Sequence, residues 1–352
     1  MIIRLLFVVI LVILAGCSTS KKDSGGQESP TVYKVAFGSC GEQYKPQPVL
    51  ERVVEQNPDL FIYLGDNIYS DTYSLDTLKK NYQILGDKPE FKKLKAEVPI
   101  LATWDDHDYG MNDSGRHYPL KKESKEVFLN FFGVADETVK THEGIYYSVV
   151  KEVAGKKIQF VMLDMRTFRD KLLKYNGNRQ GQKGFDYELD YSPYTATDST
   201  MLGEQQWAWL QARLKEPADI RIVGSSTQFG ITHNGYEAWA NFPHEQRRFT
   251  DLIKLTRANG VLFISGDVHY AEISRLNVDG LYPIYDVTAS GITSTWDFAT
   301  PNDNRIDGPV MENHFGLLTL SIGDETEITM QIIDVTGKPR ISRTVKLSEL
   351  MF

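Results

Sequence analysis

The sequence predicts an α/β protein with mixed β-sheets flanked by helices, and two observations support this prediction. Short apolar segments typical of buried strands alternate with segments of helical periodicity up to about residue 265. The part from about residue 273 to 345 is rich in strand-like segments, with turns at Asp279-Gly280 and Thr336-Gly337. The 352 residues suit one large domain or two small ones, with an ample core.

The individual elements follow from these two patterns. Apolar segments predict strands at 32–37, 60–64, 99–103, 220–225 and 261–265, and a hairpin of strands 145–150 and 157–164. Apolar residues three and four positions apart predict helices at 48–57, 75–85, 90–97, 120–132, 203–214 and 245–258. Two long polar segments, 169–200 and 292–314, interrupt the pattern. Loops of this length are either walls or lids over a site or plain surface loops.

The composition excludes several classes of protein. The chain is 41% hydrophobic and 24% charged, which excludes a collagenous, a wholly disordered or a polytopic membrane protein. Its net charge of -8 does not indicate a general nucleic-acid-binding surface. Of the two cysteines, Cys17 falls in a predicted targeting segment. The folded part then has one thiol, Cys40, which excludes a disulfide framework and a cysteine zinc site.

The N-terminus has the pattern of a secretion signal. Arg4 precedes an apolar run from 5 to 15 that is too short to span a bilayer. The run ends in Leu14-Ala15-Gly16-Cys17, which resembles the lipobox of bacterial lipoproteins, although an ordinary signal peptide cut nearby also fits. The lipobox implies a lipid anchor at Cys17 and, because Ser18 follows, the outer membrane, facing the periplasm or the cell surface. The predicted divisions are a signal peptide (1–16), a flexible tether (17–31) and one domain (32–352).

Potential metal ligands follow four of the predicted strands. A single Asp after a strand means little, because Asp is a common turn former. In layered α/β proteins, however, the carboxyl ends of strands converge on one edge. Sulfur, oxygen and nitrogen donors from separate strands form a metal site, and two neighbouring metals can clamp a phosphoryl group and activate water. The candidates are Cys40; Asp66 and Tyr69; Asp105, Asp106 and His107; and Asp267 and His269.

The order of these segments resembles that of the calcineurin-like metallophosphoesterases and, more closely, their PhoD-like alkaline phosphatase and phosphodiesterase branch. The resemblance runs from about residue 32 to 316 and implies a two-layer mixed β-sheet sandwich flanked by helices. The matching pieces are Phe37-Gly38-Ser39-Cys40, Leu64-Gly65-Asp66-Asn67-Ile68-Tyr69, Thr103-Trp104-Asp105-Asp106-His107-Asp108, Leu163-Asp164-Met165-Arg166 and Ser265-Gly266-Asp267-Val268-His269.

The resemblance implies a ferric ion bound by Cys40, Asp66 and Tyr69. Asp267 and His269 stand where the family has its last metal ligands. A free phenol has a pKa of about 10, so only a strongly charged cation such as Fe(III) would hold Tyr69 as a phenolate at neutral pH. Taken alone, Cys40 is better explained as a small buried hydrophobe, and Tyr69 as an aromatic at a pocket edge.

The resemblance also implies a second metal and a phosphate-contacting histidine, His107. Metal binding and a structural role are the alternatives for this histidine. Asp105 and Asp106 replace the usual Gly-Asn before it, which implies an oxygen-seeking metal such as Ca(II). Asn112 is a candidate contact of the phosphate or of calcium. Arg166 has the donors to grip a phosphate, or to hold Asp164 or a loop carboxylate instead.

One position departs from the family pattern. Related metallophosphoesterases have a histidine ligand after the strand predicted at 220–225, whereas this chain has none before His233. Gln228 or one of the serines at 225 and 226 would supply an oxygen ligand there, directly or through water.

We therefore expect a secreted, metal-dependent hydrolase of phosphate esters, acting on monoesters, diesters or both, in which a metal-activated hydroxide attacks phosphorus. One alternative is a metal-independent hydrolase with Ser225 or Ser226 as nucleophile. The other is a lipoprotein that binds phosphorylated ligands without turnover. The sequence has no GxSxG, GxxxxGK[ST] or HExxH motif.

Overall fold

The computed structural model describes residues 29–134, 136–177, 191–232 and 235–352. The predicted signal peptide, nearly all of the tether with Cys17, the middle of the 169–200 segment and His233 lie outside the described residues. Within the described ranges, no helix has both the length and the hydropathy needed to cross a membrane.

The described part of the chain forms strands and helices in alternation, followed by a strand-rich C-terminal part. The strands are β1 (Thr31–Gly38), β2 (Leu60–Leu64), β3 (Ile100–Thr103), β4 (Tyr147–Val153), β5 (Lys156–Met162), β6 (Leu173–Lys174), β7 (Tyr191–Ser192), β8 (Ile220–Ser225), β9 (Val261–Ser265), β10 (Ala271–Leu276), β11 (Ile284–Ala289), β12 (Arg305–Val310), β13 (His314–Ile322), β14 (Glu327–Asp334) and β15 (Pro339–Lys346). The α-helices are α1 (Pro48–Glu55), α2 (Leu75–Asp87), α3 (Pro89–Glu97), α4 (Asp106–Tyr109), α5 (Lys121–Phe132), α6 (Gly203–Leu214) and α7 (Pro243–Thr256).

The first sheet has the strand order β15-β14-β13-β1-β2-β3. The three strands β1, β2 and β3 are parallel, and β1 joins them antiparallel to β13. Alternate residues of β1 belong to different cores, as the two-residue period of a strand requires. Val35 and Phe37 pack in the core that includes the second sheet, whereas Ala36 packs in the core that includes α1, α2, α3 and α5.

The second sheet has the strand order β12-β10-β11-β9-β8-β5-β4. The four central strands are parallel to one another: β5, β8, β9 and β11. The outer strands pair antiparallel, β4 with β5, β10 with β11 and β12 with β10. Trp207 of α6 and Phe249 of α7 belong to the same core as Phe160, Ile222 and Phe263 of this sheet. Two mixed sheets flanked by helices confirm the predicted fold class.

The predicted strands and helices are found with bounds within three residues of those expected. The 292–314 segment is the main difference, because β12 lies inside it and pairs with β10. The sequence of this segment does not predict a strand, because Pro309 and several polar residues are typical of a loop. Proline is tolerated there because β12 is the edge strand of its sheet. The buried Glu272 of β10 pairs with Arg305, which ties this polar strand to the sheet.

Candidate metal centre

The candidate ligands lie in tight loops directly after β1, β2, β3 and β9. Four of them have backbones in the left-handed region: Cys40 (φ 59°), Asp66 (φ 48°), Asp267 (φ 76°) and His269 (φ 53°). Residues other than glycine seldom adopt this conformation, and such positions cluster at functional sites. The sharp turns keep the polar side chains at the edge of the sheets.

Gly65 permits the close approach of two of these loops. Its φ is +98°, and a Cβ atom at this position would lie 2.5 Å from the Cβ of Asp105. Any other residue would push the loop after β2 away from the loop after β3. The glycine thus allows the carboxylates of Asp66 and Asp105 to lie side by side.

One group of ligand atoms combines sulfur, oxygen and nitrogen. Those of Cys40, Asp66 and His269 lie within 4.8 Å of one another. The sulfur of Cys40 is 3.4 Å from Oδ2 of Asp66. The hydroxyl oxygen of Tyr69 lies 3.0 Å from Nε2 of His269, which brings the phenol to the same place. The structure therefore brings together the residues expected at the ferric position.

A second group consists of carboxylates alone. Ligand atoms of Asp66, Asp105, Asp106 and Asp267 lie within 4.8 Å of one another, so Asp66 belongs to both groups. All four are buried or nearly so. In the described part of the chain, Oδ1 of Asp66 and Oδ2 of Asp105 have no hydrogen-bond donor. Buried oxygens without partners are costly, and a cation would satisfy them. The residues present therefore fit metal ions.

The electrostatics of the protein alone disfavour this concentration of negative charge. Burial and the neighbouring Cys40 and Asp106 raise the pKa of Asp66 well above its usual value. Burial and Asp105 do the same to the pKa of Asp267. Burial also raises the pKa of the Cys40 thiol to about 11. A bound cation reverses these shifts by favouring the charged form of each ligand.

Arg166 supplies the main positive charge that the protein itself brings to the carboxylates. Its buried guanidinium pairs with Asp105 and lies 2.8 Å from Glu237, while Asp164 accepts only its backbone N–H. The guanidinium of Arg166 therefore pairs with carboxylates of loops, Asp105 and Glu237, and not with the carboxylate of Asp164, which was the other predicted partner. Burial alone would raise the pKa of Asp106, but Arg166 and His107 hold it at about 2.

His107 has one ring nitrogen fixed by a neighbour. Its Nδ1 lies 2.8 Å from a carboxylate oxygen of Asp71, and its ring packs against that of Tyr69 with centroids 4.3 Å apart and planes tilted by 34°. Burial opposes its protonation, but the bond to Asp71 and the charge of Asp106 raise its pKa to about 9. The charges of the protein itself therefore favour the protonated form of His107, in which Nε2 is its second donor.

A cavity of about 200 Å³ opens onto these groups. Asn112 lies in its wall and donates to Asp113 over 2.9 Å. The described parts of both long polar segments reach it, since Tyr191 and Trp296 also line it. This placement agrees with their interpretation as walls of the site. The other lining residues are Asp66, Asp106, His107, Asp113, Tyr236, Glu237, Asp267 and His269.

The segment after β8 was expected to supply an oxygen ligand from Gln228 or a serine, and the buried Oε1 of Gln228 has no hydrogen-bond partner among the described residues. The amide nitrogen of Gln228 donates to Glu272 (3.1 Å) and Thr288 (3.0 Å) of the second sheet. Ser226 is the residue of this segment that reaches the carboxylates, donating to Asp105 over 2.6 Å. Ser225 points elsewhere, to the carbonyl of Thr227.

Sequence reasoning missed Asp71, Glu237 and Ser290. The oxygen of Ser290 lies 3.0 Å from the Cys40 sulfur and accepts the His269 N–H, so it orients two candidate ligands. Asp71 stands only two residues after Tyr69, and this proximity was its one signal. Glu237 and Ser290 belong to no motif, and only the fold brings them to the site.

The sequence and the structure are similar to those of known phosphatases. The chain is 24% identical over 284 residues to alkaline phosphatase D of Bacillus subtilis (strain 168), a match that covers 69% of this chain and 47% of that protein. This chain therefore spans about half the length of that curated relative.

Two solved structures show the same fold. A structure of PhoD matches with a TM-score of 0.70 at 18% identity, covering 90% of this chain and 68% of that one. A purple acid phosphatase from yellow lupin (Lupinus luteus) seeds matches with a TM-score of 0.59 at 13% identity, covering 90% of this chain and 54% of that one. The sequence profile of the PhoD-like phosphatases matches residues 35–305, which include all the candidate ligands. The chain therefore belongs to the PhoD-like phosphatase family.

Proposed function

We propose that this protein is a secreted, metal-dependent hydrolase of phosphate esters. The observation that carries the proposal is the position of Asp66, which belongs both to the group with Cys40 and His269 and to the group of four carboxylates. A carboxylate between two ligand groups suits a pair of neighbouring metal ions. Membership of the PhoD-like phosphatase family supports the phosphate ester as substrate.

Two different ions suit the two groups of ligands. Cys40, Asp66, Tyr69 and His269 would hold Fe(III), because thiolate and phenolate are donors that a strongly charged, polarisable ion binds well. Asp105, Asp106 and Asp267, with Asp66, would hold Ca(II) or another divalent ion that prefers oxygen. When bound, the ions supply positive charge for the phosphate and lower the pKa of water.

The residues around the ions would bind and orient the ester. In its protonated form His107 donates from Nδ1 to Asp71, and it would give the second proton, at Nε2, to the oxygen of the departing alcohol. Asn112 lies in the same wall and would contact a phosphoryl oxygen. Arg166 would act indirectly, by holding Asp105 in place between itself and Ser226.

We further propose that the protein is anchored to the outer membrane through a lipid on Cys17. The support is the sequence pattern alone, in which small residues precede Cys17 and a polar tether follows. Mass spectrometry of the N-terminal peptide from detergent-extracted protein tests this proposal. A diacylglyceryl-modified Cys17, lost in Cys17→Ser, is expected. A free N-terminus at another residue would contradict it.

The serine-hydrolase alternative receives less support. The Ser225 hydroxyl donates to a backbone carbonyl and accepts from Trp239, and Ser226 donates to Asp105. Among the described residues, neither serine is hydrogen-bonded to a histidine that would activate it as a nucleophile.

One assay separates these functions. The full chain is assayed with 4-nitrophenyl phosphate and bis(4-nitrophenyl) phosphate, alongside its metal content, before and after chelation. We expect hydrolysis that disappears with the metal, and a loss of at least about 100-fold in Asp66→Asn. Asp251→Asn, an exposed carboxylate paired with Lys254 on α7, is the matched control. Activity that survives complete metal removal would favour the serine mechanism. Binding of both esters without turnover would favour a non-catalytic binding protein.

A further inference from the structure

A second, larger cavity adjoins the candidate active site. It has a volume of about 620 Å³, against about 200 Å³ for the cavity over the candidate ligands. Asn112, Asp113 and Tyr191 line both cavities, so the two share a wall. The smaller one suffices for a phosphoryl group and its immediate attachments. The larger one has the size of a typical pocket for an organic ligand, which is about 300–1,000 Å³.

One wall of the larger cavity is aromatic. The rings of Tyr73 and Tyr118 stack with centroids 5.6 Å apart and an angle of 24° between their planes. The Tyr118 hydroxyl donates to the carbonyl of Thr72, which fixes the inner ring. Tyr73 is 63% exposed, so this ring is accessible to a ligand. Rings held in this way favour the stacking of another planar ring.

Among the described residues that line the larger cavity, lysines outnumber carboxylates. Lys171 and Lys174 line it, and the Lys174 ammonium lies 4.3 Å from the ring centre of Tyr191. Among the described lining residues, Asp113 is the only carboxylate. It already accepts hydrogen bonds from Asn112 and Tyr191. A locally basic lining stands out in a chain with a net charge of -8 and favours an anionic ligand.

We infer that the larger cavity binds the alcohol part of the substrate, and that this part carries a planar ring and a second anionic group. The ring lies against Tyr73, and the anion pairs with Lys171 and Lys174. The inference rests on the proposed phosphoesterase function and adds a substrate class to it. Esters of small neutral alcohols lack both features and are poorer substrates.

Two aryl phosphates of matched shape test the charge. These are 4-carboxyphenyl phosphate and 4-carbamoylphenyl phosphate, which differ in the second anion, and the readout is the ratio of their kcat/KM values. Comparing this ratio between wild type and variants removes the difference in leaving-group chemistry. In Lys171→Met/Lys174→Met, we expect the ratio to fall roughly 3- to 10-fold, as for two exposed ion pairs. In wild type, the ratio should also fall as salt rises to about 1 M.

Matched controls identify the source of the effect. Lys80→Met removes an exposed lysine of α2 that is not among the residues lining the cavity, and should keep the wild-type ratio. Tyr73→Leu should lower kcat/KM for both aryl substrates roughly 2- to 10-fold, whereas Tyr73→Phe should retain it.

The outcomes distinguish the inference from the proposed function. Hydrolysis of both esters with a ratio that the lysine substitutions and salt leave unchanged overturns the inference, and the proposed function stands. If the metal-loaded wild type hydrolyses neither these two monoesters nor bis(4-nitrophenyl) phosphate, the proposed function is overturned and, with it, the inference. Hydrolysis of the diester alone overturns the inference, and the proposed function stands.

Discussion

The hydroxyl oxygen of Tyr69 lies 3.0 Å from Nε2 of His269, although 200 residues separate the two in the chain. Tyr69 follows β2 of the first sheet, and His269 follows β9 of the second. Their contact therefore depends on the packing of the two sheets against each other. The candidate metal centre is correspondingly a property of the whole folded domain and not of one motif.

Replacing Tyr69 by Phe should remove the visible absorption band of the metal-loaded protein. A phenolate bound to Fe(III) gives a visible charge-transfer band, which the variant cannot form. The absorption spectrum and iron content of the full chain provide the measurement. Tyr44→Phe removes a hydroxyl that bonds to Asn81 outside the ligand groups and should keep the colour. Colourless, iron-free and fully active wild-type protein would contradict the ferric assignment.

Replacing His107 by Ala should reduce turnover far more than metal content. Loss of a proton donor to the leaving group costs roughly 100- to 10,000-fold in rate. The side chain bonds to Asp71 and packs against Tyr69, and a ring nitrogen lies within 4.8 Å of ligand atoms of Asp66 and Asp106. The variant nevertheless keeps the four clustered carboxylates. The kcat for benzyl phosphate, whose alkoxide leaves poorly unless it is protonated, and the metal content by mass spectrometry are compared. An equal loss of both quantities would instead make His107 a metal ligand.

Replacing Arg166 by Met should destabilise the protein strongly. The guanidinium is buried between Asp105 and Glu237, and its removal leaves the buried Asp105 without its arginine and Glu237 with Arg169 alone. Breaking a buried ion pair in this way costs about 3–5 kcal/mol of the free energy of unfolding. Urea unfolding measures the change. In Arg52→Met, which breaks an exposed pair with Glu55 on α1, the cost should stay within about 1 kcal/mol. A similar small cost for both variants would rule out this stabilising role.

His314 should contribute to the free energy of unfolding at neutral pH, and this contribution should be lost in mild acid. The buried imidazole accepts the Ser290 N–H and donates to the carbonyl of Glu312. Burial lowers its pKa to about 4, against about 6.5 in the unfolded chain. Between these two values the unfolded state binds a proton that the native state does not. The free energy of unfolding therefore falls as pH drops from about 6.5 to 4, by roughly 3 kcal/mol in total.

His314→Gln tests this contribution, because glutamine has no group that titrates in this range. Urea unfolding at pH 7 and at pH 4.5 gives the pH dependence for wild type and variant, and other titrating groups cancel in their difference. We expect a shallower loss of stability in the variant. Identical pH dependence in the two proteins would show that His314 does not contribute.

The sequence was sufficient to predict the fold class and the residues that converge, because both depend on local patterns. The apolar strands and the polar residues directly after them place Cys40, Asp66 and Asp267 at one edge. The partners of these residues could not be predicted. Glu237 and Ser290 come from segments without periodicity, and the pairing of Arg166 with Glu237 rather than Asp164 depends on side-chain directions in the packed core. The edge strand β12 was missed because tertiary pairing overrides its loop-like composition.

The direction of β1 has a practical consequence for immobilising the protein. The strand begins at Thr31 and ends at Gly38, two residues before Cys40, so its eight residues span about 26 Å. The N-terminal end of this strand and the candidate metal centre therefore lie at opposite ends of the sheet. A bead, sensor surface or vesicle coupled close to Thr31 would therefore lie at the end of the sheet away from the candidate metal centre, and the cavity over the candidate ligands would face the bulk solution.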